Sequence, residues 1–576
     1  MYFYYDSIDN DIILSNKLYG HLLGYDSIDS KYKIYKEEDS LDNLDYNTIE
    51  GGSYTLVSID DKNNSIKINQ DLCGCRQLYY IVIPYSNSNI SIIDNYYNND
   101  TINTNGIIAI SDSFFTVVEK VKELIDKYNI DYNLTINENF VYASFAASEL
   151  CPCVKDTLIT EIHIFPINSE IVINGNTITI NKDPKNYIEN HYMIHPLSEE
   201  GMKIMDDWFT KWTRIFEDIF TQYNTFIDLS GGLDTRIMLA MLKNTNLDIS
   251  TIKFSSHTKL TNSINMEDYE ISEEIRNDEN ISSHQSYPIT KIKSDEDISF
   301  DLVKYSSLGT TLFTKVSYMQ YLNRQVKIGG LFSCIKGLWH ITSKEEIIEK
   351  FTRNLKDIGL DYIYMEDASI LTETETKVYK YILDNIDSIL SDNNYNINYI
   401  GSYIYKRVND NIRDAHKMKD FSVRCPYISP YMGSQDLLRL DFNPYKDTEE
   451  SDYSLIATYL LYKYAPELLK YKIQGDREFK ESTIQKLKDL NITQKSNENG
   501  TIPAYSCEEE RLIISENKHF IQDKITESIN NLTDSRYERI INYTKDWISK
   551  NNIYNINGKY TPYILISINE LLKYIN

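Results

Sequence analysis

The segment Phe226–Leu239, FIDLSGGLDTRIML, constrains this chain more than any other. A short apolar run ends in Ser230-Gly231-Gly232-Leu233-Asp234, and a helix-like pattern follows at once. Glycine permits positive φ, and its missing side chain lets backbone N–H groups come close to a ligand. The helix starting here would aim its unpaired N–H groups at an anion. Ser230 and Thr235 offer hydroxyl donors, and Asp234 offers a carboxylate for a Mg²⁺ bridging phosphate oxygens. These residues in this order predict a nucleotide or pyrophosphate site at the carboxyl edge of a sheet. The alternative is a glycine turn that only joins strand to helix.

The surroundings favour a sheet with helical crossovers. From Asn224 on, the runs TFIDLS, DISTIKFSS and VKIGGLF alternate with helical patterns, which predicts a parallel α/β sheet. Before it, PLSEEGMKIMDDWFTKWTRIFEDIFTQY places Ser198 as an N-cap, acids in the first turn, and Met205, Trp208, Trp212, Ile215, Phe216 and Ile219 at helical spacing. Residues 1 to about 190 read as short strands (GGSYTLVSI, NSIKINQ, LYYIVIPY, GIIAISD, EIHIFPINSEIVINGNTITI) interrupted by one helix, FFTVVEKVKELIDKY. That predicts a layered α+β sheet domain. The stretch from about 345 to the end reads as largely helical. A chain of 576 residues exceeds one compact core, so the division is 1–190 and 191–576.

With 85 acidic against 59 basic residues the formal charge is -26, which argues against nucleic acid and anionic membrane as partners. No apolar run approaches the roughly 20 residues of a membrane helix, and the amino end lacks a signal pattern, so a cytoplasmic location is expected. Seven Cys make no disulfide framework. Cys73-Gly-Cys75 and Cys151-Pro-Cys153 are spaced more tightly than a zinc knuckle and read as small buried side chains.

The glycine turn resembles the S-G-G-x-D-S/T pyrophosphate loop of the N-type ATP pyrophosphatases, and LSGGLDTR resembles the synthetase domain of the asparagine synthetase family. Further landmarks follow in collinear order from about residue 50 to 510. Asp71 to Tyr80 is similar to the family's D-x-x-G-x-R-P-L-Y-Y element, and Thr157 to Pro166 to its T-L-F-x-G-I-x-x-L-P-P segment. STIKFS, 250–255, takes the place of the strand beside the adenine, which puts Phe254 and Ser255 among the nucleotide-binding positions. Glu267 and Asp268 open a helix ending at His284, as in the family's D-x-x-x-A…H stretch, and Lys417 to Tyr427 is similar to S-M-x-x-E-x-R-x-P-F-L-D. The resemblance implies an N-terminal sheet domain of the Ntn-hydrolase-like type. After it would come an α/β PP-loop domain of the adenine nucleotide alpha hydrolase-like type, with a helical C-terminal part.

The departures from the pattern are specific. The family's glutaminase nucleophile is a Cys at position 2; Tyr2 stands here, and a phenol with a pKa of about 10 does not replace a thiolate. In the stretch Ile328 to Gly337, Ser333 and Cys334 stand where the resemblance expects metal-binding acids, and Ser422 and Ser429 replace a Glu and an Asp. Lys336 and Lys495 could support the leaving group, and Arg236 could contact phosphates or a substrate carboxylate; a solvated surface is the plainer reading for the lysines.

Two functions remain open. One is an amide-forming ligase that activates a small-molecule or peptide carboxylate with ATP and Mg²⁺ as an acyl-adenylate. It would use free ammonia or a substrate amine, alone, as a homodimer or with a partner enzyme. In it Ser230, Gly231, Gly232, Asp234 and Thr235 hold pyrophosphate and metal. The other is a nucleotide-binding or scaffold protein without turnover.

Overall fold

The computed structural model describes residues 4–8, 17–60, 65–84, 100–103, 106–147, 156–165, 169–174, 177–182, 194–255, 263–281, 289–293, 300–305, 317–321 and 325–331. It also describes 380–381, 383–384, 425–432, 437, 440, 454–475, 477–495, 500–506, 510–516, 518–538, 541–542, 544–545 and 561–575. The chain is a mixed α+β protein with antiparallel sheets first and a parallel sheet after them.

The first unit contains β1 (Tyr4–Asp6), β2 (Lys17–Asp26), β3 (Lys31–Lys36), β4 (Leu44–Asp45), β5 (Gly51–Asp60), β6 (Ser65–Gln70), β7 (Tyr79–Pro84), β8 (Asp100–Asn103) and β9 (Gly106–Ser111). It continues with α1 (Phe114–Tyr128), α2 (Glu138–Ala147), β10 (His163–Ile164), β11 (Ser169–Asn174) and β12 (Thr177–Lys182). The larger sheet runs β3-β2-β5-β6-β11-β12-β8, with β4 also on β2, and a second runs β1-β9-β7-β10. Alternation along the strands decides how these layers pack. Tyr19, Val57, Ile68, Ile171 and Ile178 of the larger sheet meet Tyr80, Ile108 and Ile110 of the smaller in one core. Leu18, Leu22, Tyr54 and Leu56 face the other way, onto Leu41 and Leu44. Leu23 keeps the parity of Tyr19 but sits further along β2, and there it joins the core of the second unit together with Tyr32, Ile34, Cys73 and Cys75.

That junction is made by α3 (Glu199–Gln222), a 24-residue helix capped by Ser198, whose hydroxyl accepts the Gly201 N–H at 3.1 Å. The apolar stripe read from the sequence is its buried face, with Phe209 and Phe220 added. After α3 come β13 (Asn224–Asp228), α4 (Leu233–Lys243), β14 (Leu247–Asp248), β15 (Lys253–Ser255), α5 (Ser263–Asp278), β16 (Ile289–Lys293), α6 (Phe300–Val303), β17 (Ser317–Tyr321) and β18 (Gln325–Ile328). The chain closes with β19 (Tyr427–Ile428), α7 (Leu455–Tyr464), α8 (Glu481–Asp489), β20 (Ile502–Pro503), β21 (Glu510–Glu516), α9 (Lys518–Asn531) and α10 (Thr561–Ile575). The sheet β15-β13-β18-β19 is parallel throughout. Strands β19, β20 and β21 lie in the stretch expected to be helical; β21, GluArgLeuIleIleSerGlu, joins β16 and β17 in a three-stranded sheet. Helix α10 returns to pack on α1 and α2.

Ile227, Phe254, Val326, Ile328 and Ile428 share one face of the parallel sheet and are buried with α3, α4 and α7. Among the described residues no helix is long and apolar enough to cross a membrane. Cys73 and Cys75 are buried free thiols, as read from their spacing; Cys151 and Cys153 lie outside the described residues.

Candidate functional site at the Ser230–Thr235 turn

Strand β13 ends at Asp228 and α4 begins at Leu233, so the Ser-Gly-Gly turn sits at the carboxyl edge of the parallel sheet. Its edges are fixed by neighbours. Leu229 N–H donates to Ser255 O at 2.7 Å, and the Ser255 hydroxyl donates to Asp228 Oδ1 at 2.7 Å. Lys327 Nζ lies 3.2 Å from the same Asp228 oxygen.

The turn is also tied to itself. Ser230 N–H donates to Thr235 Oγ1 at 3.0 Å, and Gly232 N–H donates to Ser230 Oγ at 3.1 Å. The two hydroxyl oxygens are 3.1 Å apart. Gly231 N–H donates to Asp268 Oδ1, on α5, at 3.0 Å. Gly232, the N-cap of α4, has φ -77° and no side chain with which to cap the helix. Neither glycine takes the positive φ their sequence allows. At position 231 the requirement is space: a Cβ would stand 2.8 Å from Ile271 Cδ1 and 3.1 Å from Asp268 Oδ1.

A second close approach comes from Gly330, just past β18, where a Cβ would stand 2.9 Å from Asp234 Cβ. Asp234 is half-buried in the first turn of α4, and its carbonyl accepts the Tyr431 hydroxyl at 2.7 Å. Tyr431 follows β19, and its ring is fully buried beside Trp208, whose Nε1 donates to Pro430 O at 3.1 Å. Ser429 donates its hydroxyl to Leu331 O at 2.5 Å, and Leu331 N–H donates to the Tyr427 hydroxyl at 3.3 Å. The β18–Gly330 turn and the 427–431 segment thus form one wall beside Asp234.

Arg236, read as a contact for phosphate or substrate, is fully buried beneath the turn. Its guanidinium donates to Tyr471 O at 3.0 Å, Lys472 O at 2.6 Å and Gly231 O at 3.4 Å, and it lies over the Phe479 ring. A five-donor fork suits a cluster of carbonyls, and these occupy it. The segment it holds then reaches back: Gln474 N–H donates to Gly231 O at 3.1 Å, Gln474 Nε2 to Asp268 Oδ2 at 3.1 Å, and Gly475 N–H to both Glu267 oxygens at 2.9 Å.

Lys495 lies elsewhere. Its ammonium is exposed over the Tyr464 ring at 4.7 Å, and the Tyr464 carbonyl accepts Asn244 Nδ2 at 2.9 Å. Asn244 is the C-cap of α4, an 11-residue helix about 16 Å long, so Lys495 belongs to the end away from the turn. Phe254 points into the core at 1% exposure, which leaves Ser255 as the one of the pair at the sheet edge. Lys336, Ser333, Cys334, Ser422 and Tyr2 lie outside the described residues.

An anion meets two different settings here. At the first turn of α4 it finds the N-terminus of a helix whose N-cap is a glycine; at Ser230, Gly231 and Gly232 it finds amides already donated to side chains. Among the described residues no group of three or more His, Cys, Asp or Glu side chains gathers to hold a metal ion. Asp268 and Gln474 were not among the site residues chosen from sequence; Asp268 carried a signal, its place beside Glu267 in the acidic pair read as a helix opening, although α5 begins earlier, at Ser263, whereas Gln474 and Tyr431 carried none. Comparison with protein-family models finds no match for this chain, and comparison with curated proteins finds none either.

Proposed function

We propose that this protein is an ATP-dependent, AMP-forming carbon–nitrogen ligase of the asparagine synthetase kind, acting in the cytoplasm on a small-molecule or peptide carboxylate. The amine is free ammonia or an amine of the substrate, because Tyr2 stands where a glutaminase nucleophile would be. On this reading residues 1–190 form a glutaminase-like layer of the Ntn-hydrolase-like type, and residues 191–576 an ATP pyrophosphatase domain of the PP-loop type.

The observation that carries the reading is the strand–Ser-Gly-Gly–helix turn at the carboxyl edge of a parallel sheet, with the N-terminus of α4 directly behind it. Ser230, Gly231, Gly232 and Thr235 would hold the pyrophosphate part of ATP, and Asp234 its Mg²⁺. ATP supplies the activation of the carboxylate. The chain's own part is positional: Tyr431 and Gly330 fix Asp234, and Ser255 fixes the sheet edge.

A second reading is nucleotide binding without turnover, in a scaffold role. It is favoured by the placement of two candidate cations: Arg236 donates to backbone carbonyls, one of them in the turn itself, and Lys495 lies over the Tyr464 ring. ATP–pyrophosphate exchange with panels of carboxylic acids separates the two. The ligase reading expects exchange that disappears in Asp234→Ala. Calorimetric binding of MgATP with no exchange for any acid would replace it by the second, and exchange indifferent to Asp234→Ala would remove the turn from the reaction.

A further inference from the structure

The carboxylate of Asp268 accepts the Gly231 N–H, an amide in the middle of the turn. The contact is built rather than incidental. Asp268 is 7% exposed, its second oxygen takes the Gln474 amide, and Gln474 itself donates to Gly231 O. Ile271, one turn further along α5, packs close to Gly231: a Cβ there would stand 2.8 Å from Ile271 Cδ1, which would have to shift. Three segments distant in sequence (the turn, α5 and the 471–475 strap) thus converge on a single glycine, and the anion they deliver to its amide is one of the chain's own.

From this we infer that Asp268 is an internal competitor of the ligand phosphate and sets the affinity and charge preference of the turn. The inference rests on the nucleotide reading above and deepens it. A carboxylate oxygen and a phosphate oxygen take the same N–H by the same geometry, so they cannot share it. For a phosphate to reach Gly231, the Asp268 side chain turns away and Gln474 loses an acceptor. A carboxylate left within a few ångströms of a polyphosphate repels it, and the repulsion is strong where water is largely excluded. Metal-complexed, partly neutralised polyphosphate is therefore accepted in preference to the free anion. Asp268 has no place in the chemistry on this account; it governs which anions enter and how tightly.

The sign of a substitution decides the matter. Asp268→Asn keeps the shape and an acceptor for Gly231 but removes the charge, and Asp268→Ala removes both. Inorganic pyrophosphate and MgATP are titrated calorimetrically into the full chain, with and without Mg²⁺, after thermal melting confirms that each variant is folded. The expected result is tighter binding of pyrophosphate to Asp268→Asn, on the order of ten-fold, with a smaller gain for MgATP. Asp268→Ala serves in its place if the Asn variant does not fold. Binding unchanged or weakened by the substitution would make Asp268 a mere support of the turn and overturn the inference while leaving the nucleotide reading intact. Absence of binding to wild type and variant alike overturns both.

Discussion

The Nε2 atom of His21, in the first unit, lies 3.3 Å from the carbonyl oxygen of Tyr427, a residue 406 positions later in the wall beside Asp234. His21 is 5% exposed. Burial lowers its pKa to about 4 against the partial opposition of the Tyr427 carbonyl, and the charges of Arg76 and Lys36 add to the lowering.

A pH dependence follows from that pair. The folded state keeps His21 neutral well below the ordinary imidazole range, while the unfolded chain takes up a proton near pH 6.5. Between those values the unfolded state binds more protons, so stability from this group is complete above about pH 6.5 and falls as pH drops toward 4, by at most about 1.4 kcal/mol per pH unit. Urea midpoints measured from pH 4 to 7.5 should show this slope in wild type and a shallower one in His21→Gln. Equal slopes would remove His21 as the cause.

The burial of Arg236 makes a stability prediction that a phosphate contact would not. Arg236→Lys keeps the charge but cannot serve the carbonyls of Gly231, Tyr471 and Lys472 together. A loss of about 2–3 kcal/mol in unfolding free energy is expected in the absence of any ligand. An unchanged melting temperature with weakened MgATP binding would instead return Arg236 to the ligand side.

At Gly330 the added methyl group of Ala meets Asp234 Cβ, part of the first turn of α4, which cannot swing aside like a side-chain end. Overpacking of this kind costs about 1–3 kcal/mol. Because the displaced residue is the expected metal ligand, MgATP affinity should fall by roughly ten-fold or more, a loss of about 1.4 kcal/mol. Calorimetry on Gly330→Ala checks it; intact affinity would mean that Asp234 does not meet the ligand.

The C-terminal helix has its own anchor. Lys304 Nζ donates to Glu119 Oε1 at 2.5 Å and to the Tyr574 hydroxyl at 2.7 Å, and Tyr305 donates to Glu119 Oε2 at 2.6 Å. Burial alone would raise the Glu119 carboxyl, but these donors hold it below its ordinary value; the Lys304 ammonium is held above its own. Lys304→Met removes the cation from a carboxylate whose side chain is only 21% exposed, at a cost of about 2–3 kcal/mol. Hydrogen exchange should show α10 losing protection ahead of α3. Uniform loss across both helices would contradict a local anchor.

Legibility in the sequence followed the range of the forces. The stripe and cap of α3 were readable because its 3.6-residue period and Ser198 lie within one local segment. The Ser230–Thr235 turn was readable because glycines and hydroxyls act on neighbours. The surroundings of Arg236 were not legible because two of its three carbonyl partners stand 235 and 236 positions away. Those of Lys495 were not legible because similarity of a late segment carries no information about which end of α4 that segment packs against. The strands β19 to β21 were missed for the same reason: two are dipeptides whose pairing depends entirely on distant partners.

The shared wall built by α3 has an evolutionary consequence. Leu23, Tyr32, Ile34, Cys73 and Cys75 of the antiparallel sheet belong to the same apolar interior as Trp212, Ile227 and Phe254. Deleting the first unit would strip one side of that interior and leave aromatic surface facing water. Selection for the second unit alone therefore suffices to preserve the inner face of the first. Its surface is free to drift while its inner face is held, and lineages descending from this chain should inherit the antiparallel sheet as a fixed companion.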